Sequence, residues 1–206
     1  MASTDDTNKT SDTSAQLVFL VNQAKDGNRS AFAQLVDQFQ ADVFRMVYYR
    51  IRSRADAEDI AQDVFLKAYQ KISSVKDASR FRGWLFSITL NRIRDFLRKK
   101  RFRSLFKVED ENIEYEPPDK TGIDQPEALD HVLRKDFWRQ IRLILNKLSK
   151  MEREVFLLRF FDHLNINEIA GVLKKNESTI KTHLYRALAK FKKEPGIRQL
   201  LKEVIQ

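Results

Sequence analysis

The sequence predicts an all-α protein of two small helical domains joined by an acidic linker, the second a four-helix-type module carrying a helix-turn-helix. Three observations predict it. Only 5 glycines and 4 prolines stand among 206 residues rich in Leu, Phe, Ile, Lys and Arg, a composition that favours helices. Apolar residues recur at spacings of three and four, and no alternating strand pattern bounded by turn residues stands out. Between Val108 and Asp130 the charge inverts: Glu109, Asp110, Glu111, Glu114, Glu116, Asp119, Asp124, Glu127 and Asp130 face Lys120 alone, and Pro117, Pro118, Gly122 and Pro126 break any helix. The chain therefore divides into a disordered N-terminus (1–15), a first domain (16–106), the linker (107–127), a second domain (128–194) and a C-terminal tail (195–206).

Residues 1–15 are polar and without periodicity, which is why no helix is expected there. The first helix should run from about Gln16 to Lys25 and end at the Asp26-Gly27-Asn28 turn. Ser30 then caps a second helix carrying Phe32, Leu35, Val36, Phe39, Val43 and Val47. In the third, Ala57, Ile60, Ala61, Val64, Phe65, Ala68 and Ile72 fall on one side, the buried one. Its opposite arc carries Asp59, Gln62, Asp63 and Gln70 around Leu66. Two readings stand for that arc. One is a solvated acidic face with an ordinary exposed Leu; the other is a docking surface, an apolar anchor ringed by carboxylates and amides that suits a basic or amphipathic partner helix.

The fourth helix buries Leu85, Ile88, Thr89, Ile93 and Phe96, while Ser87, Asn91, Arg94 and Arg98 form a stripe about 180° away. That stripe runs on into Lys99, Lys100, Arg101 and Arg103. Just upstream, Phe81, Trp84 and Phe86 alternate with Arg80 and Arg82. Aromatics interleaved with cations suit unstacked bases, at roughly 1–3 kcal/mol per stacked base. Core packing is the competing role for each ring, for Trp84 above all.

After Pro126 an apolar stripe resumes with Leu129, Val132, Leu133, Phe137, Ile141, Ile144, Leu145 and Leu148, and Ser149 caps a helix containing Val155, Phe156, Leu158 and Arg159. The segment LNINEIAGVLKKNESTIKTHLYRALAKFKK then has the shape of a helix-turn-helix. Asn165 caps its first helix with Glu168 as capping-box partner, and Ile169, Ala170 and Leu173 face inward. After a KKNE turn, Ile180, Leu184, Ala187, Leu188 and Phe191 take one side of the next helix. Ser178, Thr179, Lys181, Thr182, Tyr185 and Arg186 project from its N-terminal half on the others, where a recognition helix meets bases and phosphates in the major groove. An unrelated helical hairpin with a basic surface is the plainer reading.

A net charge of +9 narrows the partners to nucleic acid, an acidic membrane surface or an acidic protein. Cysteine is absent, which excludes disulfides and thiolate ligands. No segment approaches 18 continuous apolar residues and the N-terminus has no apolar signal core, so a cytoplasmic location without membrane insertion is expected. His131, His163 and His183 lack metal-ligand spacing, and no phosphate-binding glycine loop or nucleophile constellation occurs. No enzyme activity, metal, cofactor or small-molecule substrate is expected. The linker reads either as a solubilising tether or as an element that occupies a cationic channel of a partner.

Taken in order, AFAQLV, DAEDIAQDVFLKAY, RFRGWLFSITLNRIRDFLRKKR, the acidic linker, REVFLLRFF and NEIAGVLKKNESTIKTHLYRALAKF resemble the small two-domain sigma factors of bacterial RNA polymerase, the extracytoplasmic-function (ECF) group. The resemblance covers about Gln16 to Lys193. It implies that 16–106 corresponds to region 2 and 128–194 to region 4. It implies that Asp59, Gln62, Asp63 and Leu66 dock on the clamp helices of the polymerase β′ subunit. By the same resemblance, the loop from Ser73 to Arg82 captures the unpaired nontemplate strand at the −10 element, with Ser79, Arg80, Phe81, Arg82, Trp84, Asn91, Arg94 and Arg98 as contacts. Ser178, Thr179, Lys181, Thr182, Tyr185 and Arg186 would read the −35 element as duplex. Core RNA polymerase, including its β flap, promoter DNA and an anti-sigma factor are the implied partners, and the linker would thread the active-site cleft toward the RNA exit channel.

The sequence departs from the family pattern at four places. Lys174 holds the turn position usually given to Gly, His163-Leu164-Asn165 replaces Gly-x-Ser, Leu148-Ser149 replaces Leu-Pro, and His183 follows Lys181-Thr182 where the family has Arg. The missing turn glycine is expected to be absorbed by Asn176 or by a turn that avoids the left-handed conformation. The alternative function is a helix-turn-helix regulator that acts without being a sigma subunit, which predicts tight duplex binding by the free protein.

Overall fold

The computed structural model describes residues 5–106, 141 and 143–193, and among them every regular element is helical. The chain divides into two compact units, one of residues 1–110 with Gly171–Leu173 and the other of 111–170 with 174–206. The linker 107–127, the stripe from Leu129 to Phe137 and the tail 195–206 lie outside the described residues.

In the first unit, α1 spans Asp5–Lys25, α2 Arg29–Ile51, α3 Arg54–Lys71 and α4 Phe81–Phe106, with 3-10 turns at Ile72–Ser74 and Ala78–Arg80 between the last two. Helix α2 is central: α1, α3 and α4 all pack against it, and α3 also packs against α4. Residues 5–15, expected to be disordered, are the first turns of α1. Their polarity removes a core-facing stripe without forbidding a helix. Once burial of Leu20, Val21 and Ala24 has nucleated the C-terminal half, each added residue gains one backbone hydrogen bond.

The junctions are local chemistry. Gly27 takes a left-handed φ of 91°, which lets the Asn28 amide donate to the Gln23 carbonyl at 3.0 Å and close α1. Asn28, and not Ser30, caps α2, its side chain accepting from the Ala31 amide at 3.1 Å. Asn outcompetes Ser here because the turn has already placed it in extended backbone, so the helix starts at Arg29. Arg52 ends α2 in the left-handed region (φ 63°), and Ser53 caps α3 through the Asp56 amide at 3.3 Å.

The first half of α4 is the centre of the core. Phe81, Leu85, Phe86, Thr89, Leu90 and Ile93 are all buried, and they cover about half of the helix circumference. Thr89 is accommodated because its hydroxyl donates to the Leu85 carbonyl at 3.0 Å.

After the linker come a helical run at 143–147, then α5 (Lys150–Phe160), α6 (Ile166–Leu173) and α7 (Glu177–Lys192). Ile141, Ile144, Leu148, Phe156, Ala187 and Phe191 form one core cluster, in which the Phe156 and Phe191 rings stack at 4.2 Å between centroids. Ser149 and Glu152 make the capping box of α5: the Glu152 amide donates to Ser149 Oγ at 3.3 Å, and the Ser149 amide donates to Glu152 Oε2 at 2.9 Å. That carboxylate is only 6% exposed and also accepts from Lys190 Nζ of α7 at 2.6 Å. One side chain therefore caps α5 and ties it to α7. The Lys190 ammonium, followed by the Ser149 amide, holds the Glu152 carboxyl below the ordinary glutamate range against the opposing effect of burial.

Because the folded carboxyl titrates lower than the unfolded one, its contribution is complete above the ordinary value and is lost as pH falls through the depressed one. Lys190→Met is expected to cost about 1 kcal/mol at pH 7, and the difference from wild type should shrink below about pH 4. Urea unfolding of the full chain, followed through the amide signals of α7, measures both. A difference that does not change with pH would show that the pair contributes nothing through this charge.

Candidate functional site

Three exposed surfaces contain the residues singled out in the sequence. On α3, Asp59 lies three and four residues before Gln62 and Asp63, and these lie four and three before Leu66; all are exposed, Leu66 at 62%. The opposite side of the helix is anchored by Ala57, Ile60, Val64 and Ala68, which are buried. Nearby Glu58 is engaged by Arg54 at 2.9 Å. Tyr69, not identified in the sequence, extends this surface: it is exposed, one turn beyond Leu66, and its ring stands edge-on to Phe32 of α2 at 5.0 Å. Its i+3 position after Leu66 was the available signal.

The second surface starts in the connection between α3 and α4. Ile72, Val75 and Ala78 are buried at every third residue, and α1 packs against both of its 3-10 turns. Ser73, Ser74, Lys76, Asp77, Ser79 and Arg80 are thereby left on the outside. Asp77 organises the last of these. Its carboxylate accepts from the Ser79 amide at 3.0 Å and from the Ser79 hydroxyl at 2.6 Å, and it pairs with Arg80 at 3.2 Å. The Ser79 hydroxyl and then its amide hold the Asp77 carboxyl below the ordinary range, with Arg80 assisting. The Asp-x-Ser spacing of such a turn was present in the sequence and was not used.

The rings divide differently from expectation. Phe81, counted among the −10 contacts, is 1% exposed and packs against Phe39 and Trp84, each at 5.6 Å. Phe86 is buried as well, with the Arg82 guanidinium 5.1 Å above its ring. Neither face of Phe81 can meet a base while the core is intact. Trp84, expected to be the most committed to the core, is only half-buried, as is Arg82. Beyond them Asn91, Arg94 and Arg98 are exposed on one stripe, Arg98 bonded to Asp95 at 3.0 Å. Ser87 is half-buried, and its hydroxyl donates to the Trp84 carbonyl at 2.7 Å.

The third surface belongs to α6 and α7. The Asn165–Glu168 capping box forms in both directions, at 2.8 and 2.9 Å, and Arg159 Nη1 donates to the Leu164 carbonyl at 3.2 Å, bracing the approach to α6. Asn176 caps α7, accepting from the Thr179 amide at 2.8 Å and the Ser178 hydroxyl at 3.1 Å. Ile180, Ala187 and Phe191 hold the inner side. Ser178, Lys181, Thr182, Tyr185 and Arg186 are exposed on the outer arc, Tyr185 at 70%, and Thr179 is half-buried at its edge. His183 is half-buried at that same edge.

The turn between the two helices does use the left-handed region, and Lys174 itself adopts it (φ 53°), with the Lys175 amide donating to the Ala170 carbonyl at 3.0 Å. Asn176 does not absorb the missing glycine; its backbone is extended because it is the cap of α7. His163 is likewise left-handed, at φ 53°. Both positions at which the resemblance implied glycine are therefore left-handed here while carrying a Cβ.

Among the described residues no group of three or more His, Cys, Asp or Glu is placed to hold a metal ion, and no helix is long and apolar enough to cross a membrane.

The family model of Sigma-70 region 2 matches residues 35–103, and that of Sigma-70 region 4 matches 138–191. The chain is 34% identical to the ECF RNA polymerase sigma factor BldN of Streptomyces coelicolor across 85% of its length, spanning 64% of that longer protein. It is 30% identical to the ECF sigma factor SigW of Bacillus subtilis, covering 84% of this chain and 94% of that one. The solved structure of CnrH in complex with the cytosolic domain of CnrY is similar at a TM-score of 0.61 and 26% identity, over 85% of this chain and 94% of that chain.

A β-carbon in left-handed backbone is strained, so Lys174→Gly is expected to stabilise the second unit by roughly 0.5–1 kcal/mol net of the added chain entropy. Asn176→Ala should destabilise it by about 1 kcal/mol. Urea midpoints of the full-length variants decide both, and a Lys174→Gly protein no more stable than wild type would show that the turn relaxes out of this conformation.

Proposed function

The chain belongs to the extracytoplasmic-function group of the sigma-70 family, and from that membership we propose that it is a dissociable initiation subunit of RNA polymerase in the bacterial cytoplasm. It binds the core enzyme, reads the −35 element as duplex, and holds the melted −10 element as single strand. It carries out no catalysis of its own and uses no cofactor. Opening is driven by binding energy: stacking and hydrogen bonds to extruded bases offset the few kcal/mol lost on unpairing each of them.

The observation that carries this reading is that the regions matched to the two family models each present an exposed face of suitable chemistry. The arc of Ser178, Lys181, Thr182, Tyr185 and Arg186 at the N-terminal half of α7 supports major-groove contact, with Thr179 at its margin. On the first unit, Asn91, Arg94, Arg98, Trp84 and Arg82 support capture of the nontemplate strand, with Ser79 and Arg80 preset by Asp77. Phe81 takes the role of a support beneath them. The face of Asp59, Gln62, Asp63 and Leu66 supports docking on the β′ clamp helices, where the exposed Leu66 supplies the anchor and the carboxylates select a basic partner. The β flap is the further polymerase contact, through the second unit. CnrH, solved with the cytosolic domain of CnrY, supports a protein partner of this chain as well, an anti-sigma factor that holds it inactive.

Run-off transcription with purified core polymerase and promoter fragments tests the reading. Promoter-specific transcripts are expected, and their absence together with no binding to core would overturn it. Leu66→Arg should abolish core binding in a pull-down while the circular dichroism of the protein stays unchanged, because the position is solvated. Asp77→Ala is expected to weaken binding of the complex to a single-stranded −10 oligonucleotide several-fold, with core binding retained.

A further inference from the structure

The turn before α4 fixes the direction of its hydrogen bonds as well as the place of its side chains. An ionised carboxylate only accepts, whereas a hydroxyl has one proton to give and two lone pairs. In the 2.6 Å contact between Ser79 Oγ and Asp77 Oδ1 the proton therefore belongs to Ser79 and points at Asp77. The depressed carboxyl of Asp77 keeps that polarity throughout the neutral range. The Ser79 amide is committed to the same oxygen at 3.0 Å. Ser79 is exposed, and with both of its donors used it presents an acceptor to whatever approaches the turn.

Asp77 also sets what stands beside that acceptor. Its second carboxylate oxygen pairs with Nε of Arg80 at 3.2 Å, and the Arg80 side chain is 76% exposed. The terminal nitrogens of a guanidinium are donors only. Phe81, next in the chain, is buried against Trp84, which leaves the half-buried Trp84 as the ring of this segment on which an unpaired base can stack. An extruded base is read along its Watson–Crick edge, and an edge brought to this turn meets an acceptor at Ser79 and donors at Arg80.

We infer that Ser79 reads one base of the captured strand by accepting from its exocyclic amine, that this position takes adenine, cytosine or guanine and disfavours thymine, and that Asp77 is the positioning residue that sets the preference. The inference deepens the sigma-factor reading above and rests on it. Adenine N6, cytosine N4 and guanine N2 each carry N–H donors, and thymine has no amine. The corners of the thymine edge are carbonyl oxygens with N3–H recessed between them, so its outermost atom meets Ser79 as acceptor against acceptor. The Arg80 donors serve the carbonyl or ring nitrogen that every base offers, adding affinity without choosing. A serine hydroxyl free to rotate would act as donor or acceptor and choose no better. Selection arises because Asp77 has taken the proton.

The experiment uses the complex with core polymerase and fluorescent single strands carrying the nontemplate −10 element of a promoter that the complex transcribes in run-off. Each adenine, cytosine or guanine is exchanged in turn for its amine-free counterpart (purine, 2-pyrimidinone or hypoxanthine) and for thymine, and affinity is read by anisotropy. At one position the wild-type complex should lose about three- to tenfold on either exchange. Ser79→Ala and Asp77→Ala should bind the original and exchanged strands equally there. Asp77→Asn, whose amide oxygen still accepts from Ser79, should keep the preference. Core binding by all three variants in a pull-down shows that they are folded and assembled. A wild-type complex insensitive at every position overturns the inference, as does a preference that survives in Ser79→Ala. Loss of the preference in Asp77→Asn as complete as in Asp77→Ala also overturns it, since the charge on Asp77 and not the direction of its hydrogen bond would then be responsible. If the wild-type complex yields no transcript and binds no strand, the sigma-factor reading falls, and the inference with it.

Discussion

Burial of the first half of α4 is the constraint on which the first unit depends. Phe81, Leu85, Phe86, Leu90 and Ile93 are withdrawn from water by the helices packed around them, and a fully buried side chain of this size is worth about 1.5–3 kcal/mol. With that half pinned, the chain on either side of it has little freedom. The connection before it lies down on Ile72, Val75 and Ala78, and the helix after it continues into solvent with its cations. The residues proposed to meet DNA are thus positioned by apolar neighbours that never touch it.

The second unit is held by a different device, a succession of satisfied helix ends. Ser149 and Glu152, Asn165 and Glu168, and Asn176 each close the N-terminus of a short helix, and helices of this length are marginal without such caps and a packed face. Glu152 does more, because the same carboxylate receives Lys190 from the far end of α7. The recognition-type helix is therefore referenced at both of its ends, by Asn176 and by Lys190, while its outer arc stays solvated. Lys174 and His163 show how tightly the backbone path is set: both keep the left-handed conformation although neither is glycine.

Much of this was legible from local pattern. The helix order, the buried side of α3, the caps at Ser149 and Asn165, and the inner and outer sides of α7 follow from spacing and short-range hydrogen-bond chemistry, which act within a few residues. The misjudged places were those where competing local signals had nearly equal strength. Asn28 and Ser30 are both good caps, and the backbone bend at Gly27 chose between them. Polar residues 5–15 gave no reason for a helix, yet they extend one that is nucleated elsewhere. Asp77 went unnoticed because its partners, Ser79 and Arg80, matter only once the connection is anchored beneath them.

The sequence by itself determined that this chain is helical, in two parts, with an acidic face, a cationic stripe and a helix-turn-helix pattern in fixed order. Only the tertiary structure decided which rings of the Arg80–Phe86 segment are available. Phe81, Trp84 and Phe86 are nearly equivalent as residues, and helical spacing cannot rank them when apolar side chains occupy half of the helix circumference. Packing against Phe39 buried Phe81 and left Trp84 partly open, because burial is a relation between elements, and no local periodicity encodes which neighbour arrives on which side.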